Sequence, residues 1–379
     1  MIPEKMKIMY VVQSLEKGGA ERLILEVCKC LKKHDNIETL IVSLSPLNQY
    51  LKLSIGLNSV VCDSKIELSV IGKNKIEISS FIKIVEDFKP DIIHSNVYVS
   101  ELISREYIFP NVKYFTHCHN NMPEFESFSW KTLFNKQLIA RYYEKKRIEK
   151  AYIKCKNEFI AISKHTSSYY KKNLPAILSK NIHFLPNAID YHKFYFSEKR
   201  NITNRVNLVM VGHMADYKNQ IFLIDVLNIL RKNKTNAYLK LIGDWRDNGI
   251  KIQKKAEEMD LLPYLSMPGI IDDVENQLKE QHVYVHSALS EPFGLVLIEA
   301  MSSGLPIVCL DGDGNRDIIN DGVNGFILKE RSPVLFSEKI TKLIDDKILY
   351  TNIADNARIY AKQYDIEKYV NKLIDLYKK

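Results

Sequence analysis

The stretch SEPFGLVLIEAMSSGLPIV, Ser290–Val308, sets Glu291 and Glu299 eight residues apart around a Pro-Phe-Gly turn and an apolar run. Two acids so arranged are either a carboxylate pair or two separate contacts to one long ligand. On a single helix they would point about 80° apart, a poor geometry for a dyad. Pro292 and Gly294 instead suit a helix that begins after Glu291, which leaves Glu291 at the turn and Glu299 roughly a turn and a half inside. The backbone N–H groups of Phe293, Gly294, Leu295 and Val296 would then face an anion at the helix N-terminus. The two carboxylates would be separated by on the order of 8 Å along the axis, the length of a diphosphate with a sugar on one side and a ribose on the other. A solvent-facing Glu299 is the alternative.

Three other stretches carry chemistry. In VGHMADYKNQ, a strand runs into a loop with His213 and Lys218 and then into a helix, so the lysine would complement a diphosphate by point charge beside backbone donors. In QSLEKGGAERL, Gly18 and Gly19 follow the first strand, where a parallel sheet presents a loop and helix N-terminus to ligands. A tight turn is the plain reading of those glycines. The pattern is not Gly-x-Gly-x-x-Gly, and the second strand, TLIVSLSP, ends without an acid to hold a ribose, which disfavours a nicotinamide dinucleotide. The strand KYFTHCHNN ends in His117, Cys118, His119 and Asn120. Alternation puts both imidazoles on one side, leaving the choice between them open. Metal ligation there lacks a second ligand cluster.

These residues need strand ends to hold them. Apolar β-branched runs alternate with helix-period segments along the whole chain, the pattern of parallel sheets covered on both faces. The first half reads as KIMYVV, TLIVSL, SVVC, DIIH, KYFTH, EFIAIS and IHFLP; the second as VNLVMVG, YLKLIG, YLSMPG, VYVHSA and PIVCLD. Between the halves, near residues 190–204, lies a polar segment without clear period, taken as the interdomain connection. The chain ends in an amphipathic helix with Tyr369, Leu373 and Leu376 at helical spacing.

The bulk properties agree. A chain of 379 residues suits two α/β domains rather than one core. With 46% hydrophobic and 26% charged residues, it has the composition of a folded globular protein. Six cysteines without a Cys-x-x-Cys pair read as reduced thiols in a cytoplasmic protein. The opening apolar run is too short for a secretory signal, and no stretch approaches the roughly 20 residues that span a bilayer. The net charge of +8 is modest, but bases crowd between Lys131 and Lys180. That face is either plainly solvated or suited to an anionic membrane or a phosphorylated acceptor; nucleic acid is not expected.

Taken in order, KGGAERL, FLPNAIDYHKF, VGHMADYKN, LKLIGD, MPGIIDDV and HSALSEPFGLVLIEAMSSGLPIV resemble the family 4 retaining glycosyltransferases (glycosyl transferases group 1) of the GT-B fold, over almost the whole chain. The resemblance implies two Rossmann-like doubly wound α/β domains facing across a cleft. Residues 1–190 would bind the acceptor, residues 191–362 the nucleotide sugar, and residues 363–379 would form a helix crossing back to the first domain. It identifies Glu291 and Glu299 with the Glu-x7-Glu motif, Glu291 near the donor sugar and its phosphate and Glu299 on the ribose hydroxyls. The backbone of Phe293, Gly294, Leu295 and Val296 would contact sugar and diphosphate, Lys218 the diphosphate, Gly269 and Ile270 the nucleobase, and Gly18 and Gly19 the phosphates and acceptor. His119, with His117 second, corresponds to the family's histidine toward the transferring sugar. His213 stands where many members carry arginine; a mostly neutral imidazole without a fork of donors leaves more of the charge to Lys218.

The resemblance therefore implies a metal-independent hexosyltransferase that needs no cofactor beyond its nucleotide-sugar co-substrate. It would carry His119, Glu291 and Lys218 as catalytic residues and work on a saccharide or undecaprenyl-linked acceptor in bacterial surface polysaccharide biosynthesis. The expected location is cytoplasmic, with the inner face of the cell membrane as a peripheral surface. The alternatives are a nucleotide-sugar epimerase of the same fold and a non-catalytic sugar- or membrane-binding protein. Asp311 and Asp313, in LDGDGNRDI, are similar to the Asp-x-Asp that holds a divalent ion in another class of sugar transferases, but glycine-rich surroundings after a strand favour a plain loop.

Overall fold

Runs of Val, Ile and Leu without polar alternation bury both faces of a strand, which only a parallel sheet covered by helices on each side allows. The computed structural model, which describes residues 5–67, 75–125, 135–202, 204–246 and 248–379, forms two such sheets. The chain divides into two compact units, one made of residues 1–187 with 366–379 and one of residues 188–365. Their strands give the doubly wound α/β pattern of the GT-B fold.

The first unit holds strands β1 (Met6–Val12), β2 (Ile37–Ser43), β3 (Ser59–Val61), β4 (Lys65–Glu67), β5 (Lys75–Glu77), β6 (Ile92–Asn96), β7 (Lys113–Cys118), β8 (Glu158–Ala161) and β9 (Ile182–Phe184). Seven of them make a parallel sheet in the order β3-β2-β1-β6-β7-β8-β9, while β4 and β5 pair antiparallel. The order reverses between β1 and β6, so the loops after those strands diverge and leave a crevice at their carboxyl ends. Ile8, Met9, Val11, Ile92 and Ile93 are all buried to within 1%, and each such side chain contributes roughly 1.5–3 kcal/mol. The helix Ile366–Lys378 buries Tyr369, Val370, Leu373 and Tyr377 and lies against the helix Gly19–Leu31. Its Tyr377 hydroxyl meets Tyr10 Oη at 2.9 Å and His94 Nδ1 at 2.5 Å, so the end of the chain is built into the core of this unit.

The second unit holds β10 (Val206–Val211), β11 (Ala237–Ile242), β12 (Leu265–Gly269), β13 (Val283–His286), β14 (Ile307–Leu310) and β15 (Phe326–Leu328), all parallel in the order β12-β11-β10-β13-β14-β15. Here the order reverses between β10 and β13. Leu208, Met210, Leu239, Leu241, Val283 and Val285 face the helices Ile221–Lys232 and Pro333–Asp345 in one continuous core. Residues 190–204, read from sequence as the connection, begin inside this unit. Asp190 caps a short helix, Tyr191–Phe194, through Lys193 N, and Phe194 is fully buried, so apolar anchoring there outweighs the polar composition. Among the described residues no helix is long and apolar enough to cross a membrane.

Candidate functional site

The strongest cluster of chemistry lies at the strand-order reversal of the second unit. The loop after β10 carries His213, Tyr217 and Lys218; the loop after β13 carries Glu291. Two hydrogen bonds stitch them together, Leu289 N to Tyr217 O at 2.7 Å and Ser287 Oγ to Lys218 O at 2.9 Å. The turn after β11 closes on the first loop from the other side. A Cβ on Gly243 would lie 2.3 Å from Gly212 O, so the close approach of these backbones requires glycine.

Within this frame Lys218 Nζ donates to Glu291 Oε2 at 2.5 Å, with both side chains only 12% exposed. His286, the last residue of β13 and fully buried, places Nε2 3.3 Å from the same oxygen. Burial alone would raise the Glu291 carboxyl, but the Lys218 charge and the His286 contact outweigh it and hold the group down at about 2. Glu291 is thus a permanent carboxylate with a fixed orientation. Its backbone is equally fixed: Glu291 N donates to Gly312 O at 2.7 Å and Gly314 N donates to Glu291 O at 2.9 Å. His213 hydrogen-bonds to the Tyr217 hydroxyl, and burial, Arg246 and Lys218 push its imidazole down to about 4. It is neutral at pH 7 and supplies no cation.

Gly294 caps the next helix at φ 100°, a left-handed conformation that favours glycine, and the helix runs over Leu295–Ser302. Among the described residues the N–H groups of Phe293, Gly294, Leu295 and Val296 meet no acceptor, as the orphan donors of a helix start do. Glu299 is 1% exposed, which overturns the solvent-facing alternative. The sequence places Gly269 at the end of β12, and the structure gives it φ 79°; its carbonyl accepts from Gly243 N at 2.9 Å, and Ile270 beside it is exposed. Asp311 accepts from Arg316 Nε at 2.7 and 2.8 Å, and Asp313 lies 3.7 Å from the same guanidinium. Both acids of LDGDGNRDI are therefore neighbours of one arginine.

In the first unit, Gly18 and Gly19 follow β1 at its reversal with β6. Neither has positive φ, and Gly18 is extended at φ −155°, so turn geometry does not account for the glycines. The Gly18 N–H is taken by Tyr50 Oη at 3.0 Å, and that hydroxyl donates back to Gly18 O at 2.7 Å. At the end of β7, His117 and His119 stack with ring centroids 4.1 Å apart, on one side of the strand as alternation requires. His117 is buried and contacts Asn187 Oδ1 at 3.2 Å; His119, half-buried, contacts Asn96 Oδ1 at 2.9 Å. His94 extends the stack below His117 at 5.3 Å.

The basic stretch holds the helix Lys136–Cys155, with Lys131 outside the described residues. Part of its charge is matched: Lys145 and Lys146 lie 3.9 and 2.9 Å from Glu149, and Arg147 pairs with Glu106. Lys150, Lys154, Lys171, Lys172 and Lys180 are exposed.

Sequence reasoning did not single out His286, Asn96, His94 or Tyr217. The first three share a signal: each is a polar residue in or at the end of an otherwise apolar strand run, on one of the two strands at or beside a reversal.

Comparisons with known proteins bear on the whole arrangement. Residues 17–193 match the family model Glycosyltransferase Family 4, and residues 193–360 match Glycosyl transferases group 1. The poly(glycerol-phosphate) alpha-glucosyltransferase of Bacillus subtilis (strain 168) is 25% identical over 169 residues, 44% of this chain but only 25% of that protein's length. The UDP-Gal:alpha-D-GlcNAc-diphosphoundecaprenol alpha-1,3-galactosyltransferase of Escherichia coli is 24% identical across 98% of this chain and 97% of its own. Among solved structures, Anabaena Alr3699/HepE in complex with UDP and glucose superposes with a TM-score of 0.79 at 18% identity, over 98% of both chains.

Proposed function

Because the chain belongs to the GT-B glycosyltransferases described by these two family models, we propose that it transfers a sugar from a UDP-sugar to a saccharide or lipid-linked saccharide acceptor, with retention at the anomeric carbon. The observation that carries the reading is the convergence of Lys218, Glu291 and a helix start with four unclaimed N–H groups on one strand-order reversal. A diphosphate is the ligand whose charge and length suit that set.

In this reading the amides of Phe293–Val296 and the Lys218 ammonium hold the diphosphate. Glu291 attends the donor sugar, Glu299 the ribose, and Gly269 with Ile270 the base. Gly18 and Gly19 attend the phosphates and acceptor, and His119 a sugar hydroxyl. The bond from the anomeric carbon to the β-phosphate oxygen breaks while the acceptor oxygen bonds to that carbon on the same face. The acceptor proton passes to the departing phosphate. Fixed donors aimed at that developing charge lower the barrier without reorganising.

The choice of UDP and of a lipid-linked saccharide draws on the partners named for the Anabaena and Escherichia coli proteins. Assembly of a bacterial surface polysaccharide and contact of the basic helix with an anionic membrane belong to the same reading. It assigns no step to a bound cation, so activity lost to a chelator and restored by manganese would move attention to Asp311 and Asp313. Calorimetric titration of UDP into the parent, Lys218→Ala and Glu299→Gln tests the site. Equal affinity for all three would show that the nucleotide binds elsewhere or not at all.

A further inference from the structure

His119 leaves its strand in a tight turn, its N–H bonded to His117 O at 3.0 Å, and sets Nε2 2.9 Å from Oδ1 of Asn96. Asn96 is the last residue of β6 and is 2% exposed. Its amide cannot be turned the other way: Nδ2 faces the carbonyl oxygens of His94 at 3.4 Å and Val11 at 3.5 Å, and both can only accept. The carboxamide oxygen must therefore face His119, and an oxygen of that kind also only accepts. Nε2 of His119 is consequently the protonated nitrogen, which leaves Nδ1 with its lone pair. Among the described residues Nδ1 has no hydrogen-bond partner.

The turn that holds Asn96 in place is strained. Val97, a β-branched residue, sits at φ 65° and ψ 159°, a conformation that persists only where its surroundings enforce it. Ser100 supplies the enforcement: its hydroxyl accepts from Asn96 N at 3.1 Å and contacts Asn96 O and, at 2.8 Å, Val97 O. Burial beneath the surface and the neighbouring His117 and His94 rings keep the His119 imidazole well below its ordinary range, which preserves the neutral form that has tautomers at all.

We propose that Asn96 is a positioning residue that fixes His119 as the Nε2–H tautomer, so that Nδ1 accepts a hydrogen bond and selects a hydroxyl group of a carbohydrate substrate over any carboxylate, phosphate or carbonyl oxygen. The substrate half of this rests on the role given to His119 above; the tautomer half does not.

The two halves separate in the experiment. In the full chain labelled with 15N-histidine, His119 is identified by the resonance pair that disappears in His119→Gln. The expected result at pH 7.5 is a protonated Nε2 and an unprotonated Nδ1. A protonated Nδ1, or an imidazolium, overturns the proposal in the parent protein without any variant at Asn96. Asn96→Leu, provided the His94 and His117 resonances keep their positions, should shift His119 to mixed tautomers; an unchanged His119 would show that Asn96 does not set it. For the substrate half, UDP-sugar donors lacking one hydroxyl at a time should include one whose kcat/KM falls at least about tenfold with the parent and by less than about twofold with Asn96→Leu. If every deoxy donor behaves alike in both proteins, the selection of a hydroxyl is wrong. If the tautomer is as expected but no sugar nucleotide binds, the functional reading fails and takes the substrate half with it.

Discussion

Replacing Lys218 with methionine removes the cation from a buried pair and leaves Glu291 enclosed with only His286 for company. The size of the effect can be worked from the carboxyl itself. At about 1.4 kcal/mol per pH unit, holding Glu291 at about 2 rather than its ordinary 4.5 corresponds to about 3 kcal/mol. That agrees with the roughly 3–5 kcal/mol lost when one partner of a buried pair is deleted. In the parent the carboxyl is depressed, so its contribution is present above the ordinary carboxylate range and lost as pH falls toward 2. In Lys218→Met burial should lift the carboxyl above its unfolded value, so the variant should regain stability as pH falls from that raised value to the ordinary carboxylate range. The double variant Lys218→Met with Glu291→Gln carries no orphaned charge and should recover most of the loss, giving a coupling of at least about 2 kcal/mol in the mutant cycle. The sequence has two tryptophans, so a Trp130→Phe background leaves Trp245 of the second unit as the sole indole reporter for urea unfolding. A loss under about 1 kcal/mol in the single variant, with coupling near zero, would refute the buried pair.

Three further outcomes follow from single residues. Gly294→Ala forces a Cβ into φ 100° with Leu297 Cδ1 at 3.0 Å; it should destabilise by roughly 1–3 kcal/mol and weaken UDP binding in a calorimetric titration. Gly18→Ala meets only the flexible end of Glu21 in an extended backbone, so stability should change by less than about 0.5 kcal/mol while transfer slows at least tenfold, roughly, if a ligand passes there; parent-like turnover would remove Gly18 from the site. The stacked histidines should make the first unit acid-labile. Burial pushes His117 down to about 4, against the favourable Asn187 contact, and takes His94 and His119 well below their range. The unfolded chain then binds more protons between about 6.5 and 4, so stability is full above that window and falls as pH drops through it, by about 3 kcal/mol for His117 alone; a urea midpoint that is flat across the window would contradict this.

Much of the architecture was legible because parallel strands buried on both faces announce themselves as unbroken apolar runs. KIMYVV, DIIH, VNLVMV and PIVCL all lie on strands of the two sheets. The elements missed are short: β15 is three residues after a glycine turn, and the β4–β5 pair is three residues on each side, lengths at which an apolar pattern carries no period. At the site, geometry alone separated Glu291 from Glu299, since a helix start between them followed from Pro292 and Gly294. Of the residues that went unseen, Asn96 and His94 act through neighbours from another strand, while His286 and Tyr217 act on residues a few positions away in the chain. Nothing in IIHSN says that its asparagine meets the histidine that follows β7, and nothing in VYVH says that its histidine sits under a glutamate five residues on.

That difference has a physical basis in the second unit. At its centre Lys218 and Glu291 hold each other, and His213 is kept neutral by burial and by the nearby Arg246 and Lys218. Under the proposed function, an arriving diphosphate would meet the helix start beside this pair. The amides of Phe293–Val296 are fixed by the fold and lose little entropy on binding. Lys218 is likewise already immobilised by the carboxylate it would share with the proposed ligand, so the ammonium would stay in place as phosphate oxygens approached. The sequence motif records the glutamate and the glycine because those are chain-local requirements. The histidine beneath them, five residues before the glutamate and fully buried at the end of β13, is a requirement of the packed sheet.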